Sequence, residues 1–175
     1  MIKKILLLNP SGDKIYFRDY YRSKVSKSRY YYHPVDLLYL SGRFSKDKFD
    51  TYLIDAIADG LSKEEVLLAI KNISPDIILS LVASPSYNQD IAFLKVAKDL
   101  LPDCQLIITG DVCRDLHNKI MSDNHFVDAI LLNFSTDDII KYLNSEDNEV
   151  IPNMVYRKGE EIISGKETHD KGVFD

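Results

Sequence analysis

The chain has 175 residues, of which 45% are hydrophobic and 28% are charged, which fits one globular domain with a full core. The formal net charge of −5 disfavours a general nucleic-acid or membrane-surface binder, because an acidic surface repels polyanions. The apolar run at residues 5–8 is too short for a signal peptide or a membrane span. We therefore expect a cytoplasmic protein without nucleic-acid or membrane partners, whose two cysteines, Cys104 and Cys113, are free thiols.

The N-terminal third begins with a predicted strand, residues 3–9, which ends in the turn sequence NPSGD at 9–13. Residues 14–33 are rich in basic and aromatic side chains and lack a clean period. They predict a long loop or a short irregular helix over the upper edge of the sheet. The alternative is a lid whose rings and cations face a bulky anionic or flat ligand. Single-stranded nucleic acid is a less favoured partner, given the acidic net charge.

The rest of the chain alternates between helix and strand patterns. Pro34 starts a helix over 35–44, and a capping box from Ser62 to Glu65 starts another over 66–73. A central strand at 77–82 lies between Pro75 and Pro85. Further strands are predicted at 49–55, 105–109 and 127–132, and further helices at 88–101, 115–122 and 137–143, the last capped by Thr136.

The pattern changes after residue 144. Residues 145–149 read as a polar linker, and 153–157 and 161–164 alternate around a Lys-Gly-Glu turn, which predicts a β-hairpin. From Gly165 onward the chain is polar without a period and reads as a cut end. We predict one domain over 1–144, with the linker and hairpin over 145–175.

Five strands alternating with helices predict an α/β fold, a flavodoxin-like or Rossmann-like doubly wound parallel sheet in the order 2-1-3-4-5, with a small C-terminal β-hairpin. Ligands of such sheets bind beyond the carboxyl ends of the strands, where the strand order reverses. That position is predicted to lie between the first and third strands. The loops that meet there supply the candidate binding residues: Asn9, Pro10, Ser11, Gly12, Asp55, Ser80, Val82, Ala83, Ser84, Pro85, Ser86, Gly110, Asp111, Asn133, Phe134 and Ser135.

Several chemistries fit these loops poorly. A dinucleotide site needs a glycine-rich turn after the first strand, and only Gly12 is present. The flavin phosphate loop is a poor match, and no set of His, Cys and carboxylate residues has metal-ligand spacing. His33 is the only histidine expected near the crevice, with His117, His125 and His169 on peripheral segments. What remains is a large, weakly charged ligand bonded by Ser80, Ser84 and Ser86, or a set of ordinary turn residues.

The order of segments resembles the N-terminal cobalamin-binding domain of B12-dependent radical S-adenosylmethionine (SAM) enzymes. The resemblance covers nearly the whole chain, and its strength lies in the order and spacing of the pieces. The matching stretches are ILLLNP at 5–10, PVDLLYLSGR at 34–43, YLIDA at 52–56, GLSKEE at 60–65, SPDIILSLV at 74–82, ITGD at 108–111, VDAIL at 127–131 and IPNMVYR at 151–157.

The resemblance implies that the corrin lies over the carboxyl ends of the strands and that Ser80 and Gly110 make way for its nucleotide tail. NPSGD at 9–13 replaces the D-x-H-x-x-G motif of mutase-type relatives, which implies cobalt without a histidine ligand from this loop. Two further departures are TGD at 109–111, where the family has a glycine pair, and NFSTD at 133–137, where it has a glycine- and glutamate-containing turn.

The resemblance also implies a radical SAM domain of the same chain as the partner. The C-x-x-x-C-x-x-C motif of that domain, which holds a 4Fe-4S cluster, is absent here, so these residues alone are expected to catalyse nothing. The full-length protein would carry out methyl transfer, as a methyltransferase, or related radical chemistry. Two alternatives stay open: a flavodoxin-like domain that binds flavin, and a ligand-free interaction domain whose residues 14–33 dock a partner.

Overall fold

The computed structural model describes residues 2–28, 30–47, 49–144 and 150–169. The helices are α1 (Val35–Lys46), α2 (Lys63–Ile73), α3 (Tyr87–Leu100), α4 (Asp111–Asp123) and α5 (Asp138–Asn144), with a 3-10 turn at Ser84–Ser86. The strands are β1 (Lys4–Asn9), β2 (Tyr16–Asp19), β3 (Arg22–Val25), β4 (Asp50–Asp55), β5 (Ile77–Leu81), β6 (Gln105–Thr109), β7 (Ala129–Leu131), β8 (Met154–Lys158) and β9 (Glu161–Ser164).

The main sheet has seven strands in the order β4-β1-β5-β6-β7-β8-β9. Its first five strands are parallel and correspond to the predicted order 2-1-3-4-5, so the doubly wound fold is confirmed. The predicted C-terminal hairpin, β8 and β9, extends the sheet by pairing antiparallel with β7. The order reverses at β1, which lies between β4 and β5.

The core lies on both faces of the sheet. Leu6 and Leu8 of β1 pack on one side with residues of α2, α3 and α4, whereas Ile5 and Leu7 pack on the other with α1 and α5. This alternation follows from the two-residue period of a strand. Strand β5 is buried along its whole length, as expected of a central strand covered by helices on both faces.

Helix boundaries follow the predicted signals except at α4 and at α5, which begins at Asp138, so that Asp137 rather than the predicted Thr136 precedes its first residue. Ser62 and Glu65 form the predicted capping box at the start of α2, and Ser74 in the left-handed region ends that helix. The prediction that α4 starts at residue 115 was wrong, because the helix begins at Asp111 directly after β6. Gly110, at φ 137°, turns the chain from strand into helix without an intervening loop.

The prediction of a loop or irregular helix over residues 14–33 was also wrong. Strands β2 and β3 form an antiparallel hairpin in which Asp19 pairs with Arg22, so Tyr20 and Tyr21 form the turn. The turn carries neither Gly nor Asn, the usual hairpin signals, which is why the sequence pattern missed it. We call residues 16–25 the aromatic hairpin.

Residues 165–169, predicted to have no regular organisation, pack back onto the sheet. Gly165 donates to the Met154 carbonyl oxygen, and Thr168 donates its backbone N–H to Asn153 Oδ1 at 2.8 Å. We call residues 165–169 the strap. The predicted linker at 145–149 lies outside the described residues, and the domain boundary at 144/145 stays a prediction. Across the described ranges, no helix is long and apolar enough to cross a membrane.

Candidate functional site

The carboxyl ends of β1, β4, β5 and β6 and the residues after β7 meet at one edge of the sheet, as predicted. Asn9 and Asp55 are paired in register at the ends of β1 and β4, and Asn9 Nδ2 donates to Asp55 Oδ1 at 2.7 Å. Asp55 also accepts the Ala58 N–H, so this carboxylate fixes the turn after β4. Both side chains are buried, which makes them part of the wall of the crevice rather than its opening.

The aromatic hairpin fills the point where the strand order reverses. Arg18 of β2 is 1% exposed, and its Nη1 donates to Asn9 Oδ1 at 3.0 Å and to the Pro10 carbonyl oxygen at 2.8 Å. Its Nε donates to Ser86 Oγ at 3.2 Å, and its Nη2 donates to Asp90 Oδ1 at 2.9 Å. One guanidinium therefore joins the end of β1 to the start of α3.

Asp90 supplies the negative charge that compensates the buried Arg18 guanidinium. Its side chain and that of Arg18 are both fully buried, and Asp90 accepts further hydrogen bonds from Ser86 Oγ at 2.6 Å and from the Ala83 N–H at 3.3 Å. Burial raises the pKa of the Asp90 carboxyl, and Arg18 acts in the opposite direction. A buried ion pair is stable only when such additional bonds satisfy its remaining groups.

The two residues implied to make way for a nucleotide tail do not open a slot. Ser80 is fully buried and donates its hydroxyl to the Leu81 carbonyl oxygen at 3.2 Å. Gly110 packs so tightly that a Cβ would collide with the Val82 carbonyl oxygen. The small size of Gly110 therefore serves the packing of β6 against the end of β5.

Residues of the first loop are also engaged by the hairpin. A Cβ on Gly12 would lie 2.7 Å from the Tyr16 ring, so the hairpin rests directly on this glycine. Tyr16 donates its hydroxyl to Asp13 Oδ1 at 2.6 Å, which lowers the pKa of that carboxyl. Ser11 Oγ is buried without a partner.

Ser84 and Asp111 are the predicted residues that border open space. Ser84 donates its backbone N–H to Asp111 Oδ1 at 3.0 Å and its hydroxyl to Asp111 Oδ2 at 2.6 Å. Pro85 beside them is exposed, whereas Val82, Ala83 and Ser86 are buried. The 3-10 turn is thereby tied to the first turn of α4.

The loop after β7 is stabilised by hydrogen bonds between its own residues. Asn133 Oδ1 accepts from the backbone N–H and the hydroxyl of Ser135, at 2.9 and 2.7 Å. The ring of Phe134 meets those of Tyr20, Tyr21 and Tyr39 edge-on, at centroid distances of 6.1, 6.5 and 5.8 Å. Phe134 thus contributes to an aromatic wall rather than a polar site.

A cleft of about 460 Å³ lies between the hairpin tip and the start of α4. Ser84 and Asp111 were among the candidate binding residues, and Tyr20 and Tyr21 belong to the segment 14–33 for which a ligand-facing lid was the alternative prediction. The other side chains that line it include an exposed ring, a buried ring and a guanidinium: Tyr21, Tyr20 and Arg114. Tyr21 is 80% exposed, so its ring faces solvent at the rim of this cleft.

The strap contacts two of the residues that line the cleft. Glu167 accepts the Tyr20 hydroxyl at 2.8 Å and pairs with Arg114 Nε at 3.1 Å. Burial, and then the bond to Glu167, raises the pKa of Tyr20 well above its ordinary value. His169 Nδ1 lies 3.2 Å from Asn133 Nδ2, so the histidine expected on a peripheral segment lies at this edge.

Two buried carboxylates anchor the tip of the hairpin. Asp36 Oδ2 accepts the Tyr20 N–H at 2.6 Å, and Asp19 Oδ1 accepts the Asp36 N–H at 3.4 Å. Asp19 acts as a cap for α1, whose own N-cap residue, Pro34, makes no side-chain cap bond. Burial raises the pKa of Asp36 to about 7, with the Asp19 charge adding to the shift.

A metal site of protein ligands is not found in the part of the chain that the structure describes. No group of three or more His, Cys, Asp or Glu residues there has a suitable arrangement. Cys104 and Cys113 are buried and unpaired with each other, and burial raises the pKa of both thiols. The cleft therefore offers rings, hydroxyls, Arg114 and the carboxylates of Asp111 and Asp115, without a metal-ligand cluster among the described residues.

No protein-family model matches the chain. Two curated proteins are similar to it, both named anaerobic magnesium-protoporphyrin IX monomethyl ester cyclase. The protein of Cereibacter sphaeroides is 22% identical over 139 residues, which is 75% of this chain and 23% of that protein. The protein of Rubrivivax gelatinosus is 24% identical over 99 residues, or 56% of this chain and 18% of that protein. The chain thus matches less than a quarter of the length of these relatives.

Proposed function

We propose that the chain is the cobalamin-binding module of a B12-dependent radical SAM enzyme and that the corrin ring lies in the cleft beside Tyr20, Tyr21 and Arg114. The observation that carries the proposal is the position of this cleft, at the carboxyl ends of a doubly wound sheet. The similarity to cyclases that, by name, act on a magnesium porphyrin ester supports a large ring-shaped ligand. The sequence resemblance supplies the choice of corrinoid.

The residues of the cleft fit a ring with polar substituents. Tyr21 offers an exposed ring face, and Ser84, whose hydroxyl donates to Asp111, offers an oxygen that can accept a hydrogen bond. Arg114 is half-exposed and shares its charge with Glu167, so it can donate to the amide or carboxylate oxygens of a ring substituent. When bound, cobalamin supplies methyl-transfer or radical chemistry, and the protein supplies position and shielding.

The crevice beneath does not fit a nucleotide tail. Arg18 occupies the reversal point, and Gly110 lies against the Val82 backbone. Of the 16 binding residues expected from sequence, Ser84 and Pro85 are exposed, four are partly exposed (Gly12, Asp111, Phe134 and Ser135), and the other ten are buried. We assign the ring, and not the tail, to this chain.

The radical SAM domain, with SAM and its 4Fe-4S cluster, is assigned to the part of the protein that the relatives have beyond the matched region. By this assignment the residues described here position cobalamin and carry out no reaction alone. Visible absorbance of the folded chain after incubation with hydroxocobalamin and desalting tests the proposal. Retained corrin bands near one per chain are expected, and an equal incubation with flavin mononucleotide is expected to leave no yellow colour. The reverse result would assign the cleft to flavin.

A second candidate, a protein-docking role for residues 14–33, has one observation in its favour. Tyr21, Tyr30 and Tyr31 are 80%, 63% and 54% exposed, and Arg22 lies 4.0 Å from the centre of the Tyr32 ring. Charge reversal at Arg22 that abolishes association with a partner and spares cobalamin uptake would establish it. Arg18 is buried and cannot report on a surface, and Arg29 lies outside the described residues.

A further inference from the structure

The point where the strand order reverses is the place where a doubly wound sheet ordinarily admits a ligand. Here the chain itself occupies that place. The Arg18 guanidinium bonds to Asn9 and Pro10 on the β1 side and to Ser86 and Asp90 on the α3 side. A planar, charged group thus spans the gap between two elements that a ligand would otherwise have to separate.

The hairpin that carries Arg18 is held by hydrogen bonds at both ends. At one end, Gln89 Nε2 donates to Asp13 Oδ1 at 2.6 Å and to the Tyr16 hydroxyl at 3.2 Å, next to the contact of Tyr16 with Gly12. At the other end, Asp36 holds the Tyr20 N–H. To remove Arg18 from the crevice, the chain would have to break both fastenings and leave Asp90 buried without its cation.

The gap between the ends of β5 and β6 is filled by backbone atoms. Gly110 lies against the Val82 carbonyl group, and the Val82 N–H donates to the Thr109 carbonyl oxygen at 2.8 Å. Space cannot be gained there by a change of side-chain rotamer. The open volume is instead above, where Tyr21 and Arg114 border the cleft.

We propose that Arg18 is a permanent plug, so that a ligand of this domain is recognised by its ring alone and inserts no tail between β1 and β5. The ring-recognition half of this inference rests on the proposed function, whereas the plug itself does not. The specificity that follows is unusual for this fold: a corrinoid lacking its nucleotide should bind as well as one that carries it. Tail-bearing corrinoids would keep the tail outside the domain.

The test compares the affinities of two corrinoids and monitors how fast the Arg18 Nε–H exchanges with water. Hydroxocobalamin and aquacyanocobinamide, which lacks the nucleotide tail, are titrated into the wild-type chain by isothermal calorimetry. The Nε–H resonance of Arg18 is observed by ¹⁵N NMR in the same samples. It is assigned through bonds and checked by its absence from Arg18→Lys. A buried, bonded Nε–H exchanges slowly with water, whereas an exposed one exchanges rapidly.

The expected result is that the two dissociation constants agree within about threefold and that the Arg18 resonance stays slow to exchange with either ligand bound. A tenfold preference for hydroxocobalamin, or fast exchange of the Arg18 proton in its presence, would overturn the plug. If neither corrinoid binds while the proton stays protected, the proposed function fails and the plug stands. If neither binds and the proton exchanges rapidly, both fail.

Discussion

Arg18 and Asp90 form a fully buried ion pair, with 2.9 Å between Arg18 Nη2 and Asp90 Oδ1 and a separation of 72 positions in the chain. It joins a hairpin near the N-terminus to the first turn of α3, across the point where the strand order reverses. This ion pair fixes the position of the hairpin and limits which ligands can enter the crevice.

The first prediction concerns the cost of breaking this pair. Arg18→Met should lower the free energy of unfolding by about 3–5 kcal/mol, because Asp90 is left buried without its cation. The double variant Arg18→Met with Asp90→Leu should recover part of that loss, since no unpaired charge remains. Urea denaturation measures both. Lys95→Met, which breaks an exposed i,i+4 pair with Asp99, is the control and should cost less than about 1 kcal/mol.

The second prediction concerns Gly110. Gly110→Ala should lower the free energy of unfolding by about 2 kcal/mol or more, because φ is 137° and the added Cβ meets the Val82 carbonyl oxygen. Gly42→Ala is the matched control, since Gly42 lies in α1 with no atom within 4 Å of an added Cβ. It should raise stability by about 0.5–1 kcal/mol. Equal tolerance at both positions would contradict the packing described for Gly110.

The third prediction concerns pH. The folded pKa of Asp36 is about 7 and its ordinary value is 3.8, so between these values the folded chain holds a proton that the unfolded chain releases. Stability should therefore fall as the pH rises from about 4 to 7, by about 1–3 kcal/mol through this group. Burial raises the pKa of Asp19 and Asp90 as well, which gives the same sign.

Asp36→Asn keeps an oxygen to accept the Tyr20 N–H and removes the titration. We expect its unfolding free energy to change less between pH 5 and pH 8 than that of the wild type. An Asp36→Asn protein with the full wild-type slope would show that Asp36 does not titrate in this range.

The fourth prediction separates two exposed tyrosines. Tyr21 lines the cleft at the tip of the hairpin, whereas Tyr30 lies beside a different hollow with Phe17 and Lys24. Tyr21→Ala should weaken hydroxocobalamin binding about three- to tenfold, the loss of one aromatic contact, and Tyr30→Ala should not. Absorbance titration measures both. A larger effect at Tyr30 would move the ring to the other side of the hairpin.

The parallel sheet could be predicted from sequence because its strands are covered on both faces. Residues 77–82 are apolar except for Ser80, and the capping box at Ser62 marks the start of α2. The aromatic hairpin could not be predicted, since its turn at Tyr20 and Tyr21 has no Gly or Asn. Apolar and polar residues also alternate only weakly along its two strands.

The edge that holds the candidate site could be predicted, but not which residues stay open. Topology places Ser80 and Ser84 four positions apart at the end of one strand, yet one is fully buried and the other is exposed. Arg18 reads as a surface cation because most arginines are exposed, and its partner Asp90 is too distant in sequence to suggest otherwise. Glu167 and Arg114, 53 residues apart, are joined only by the fold.

The most direct test of the central claim is the stoichiometry of corrinoid bound to the folded wild-type chain, measured by equilibrium dialysis with hydroxocobalamin. The account predicts saturation near one corrinoid per chain, with the same stoichiometry for a corrinoid that lacks the nucleotide tail. No binding by a sample with a cooperative unfolding transition would contradict it.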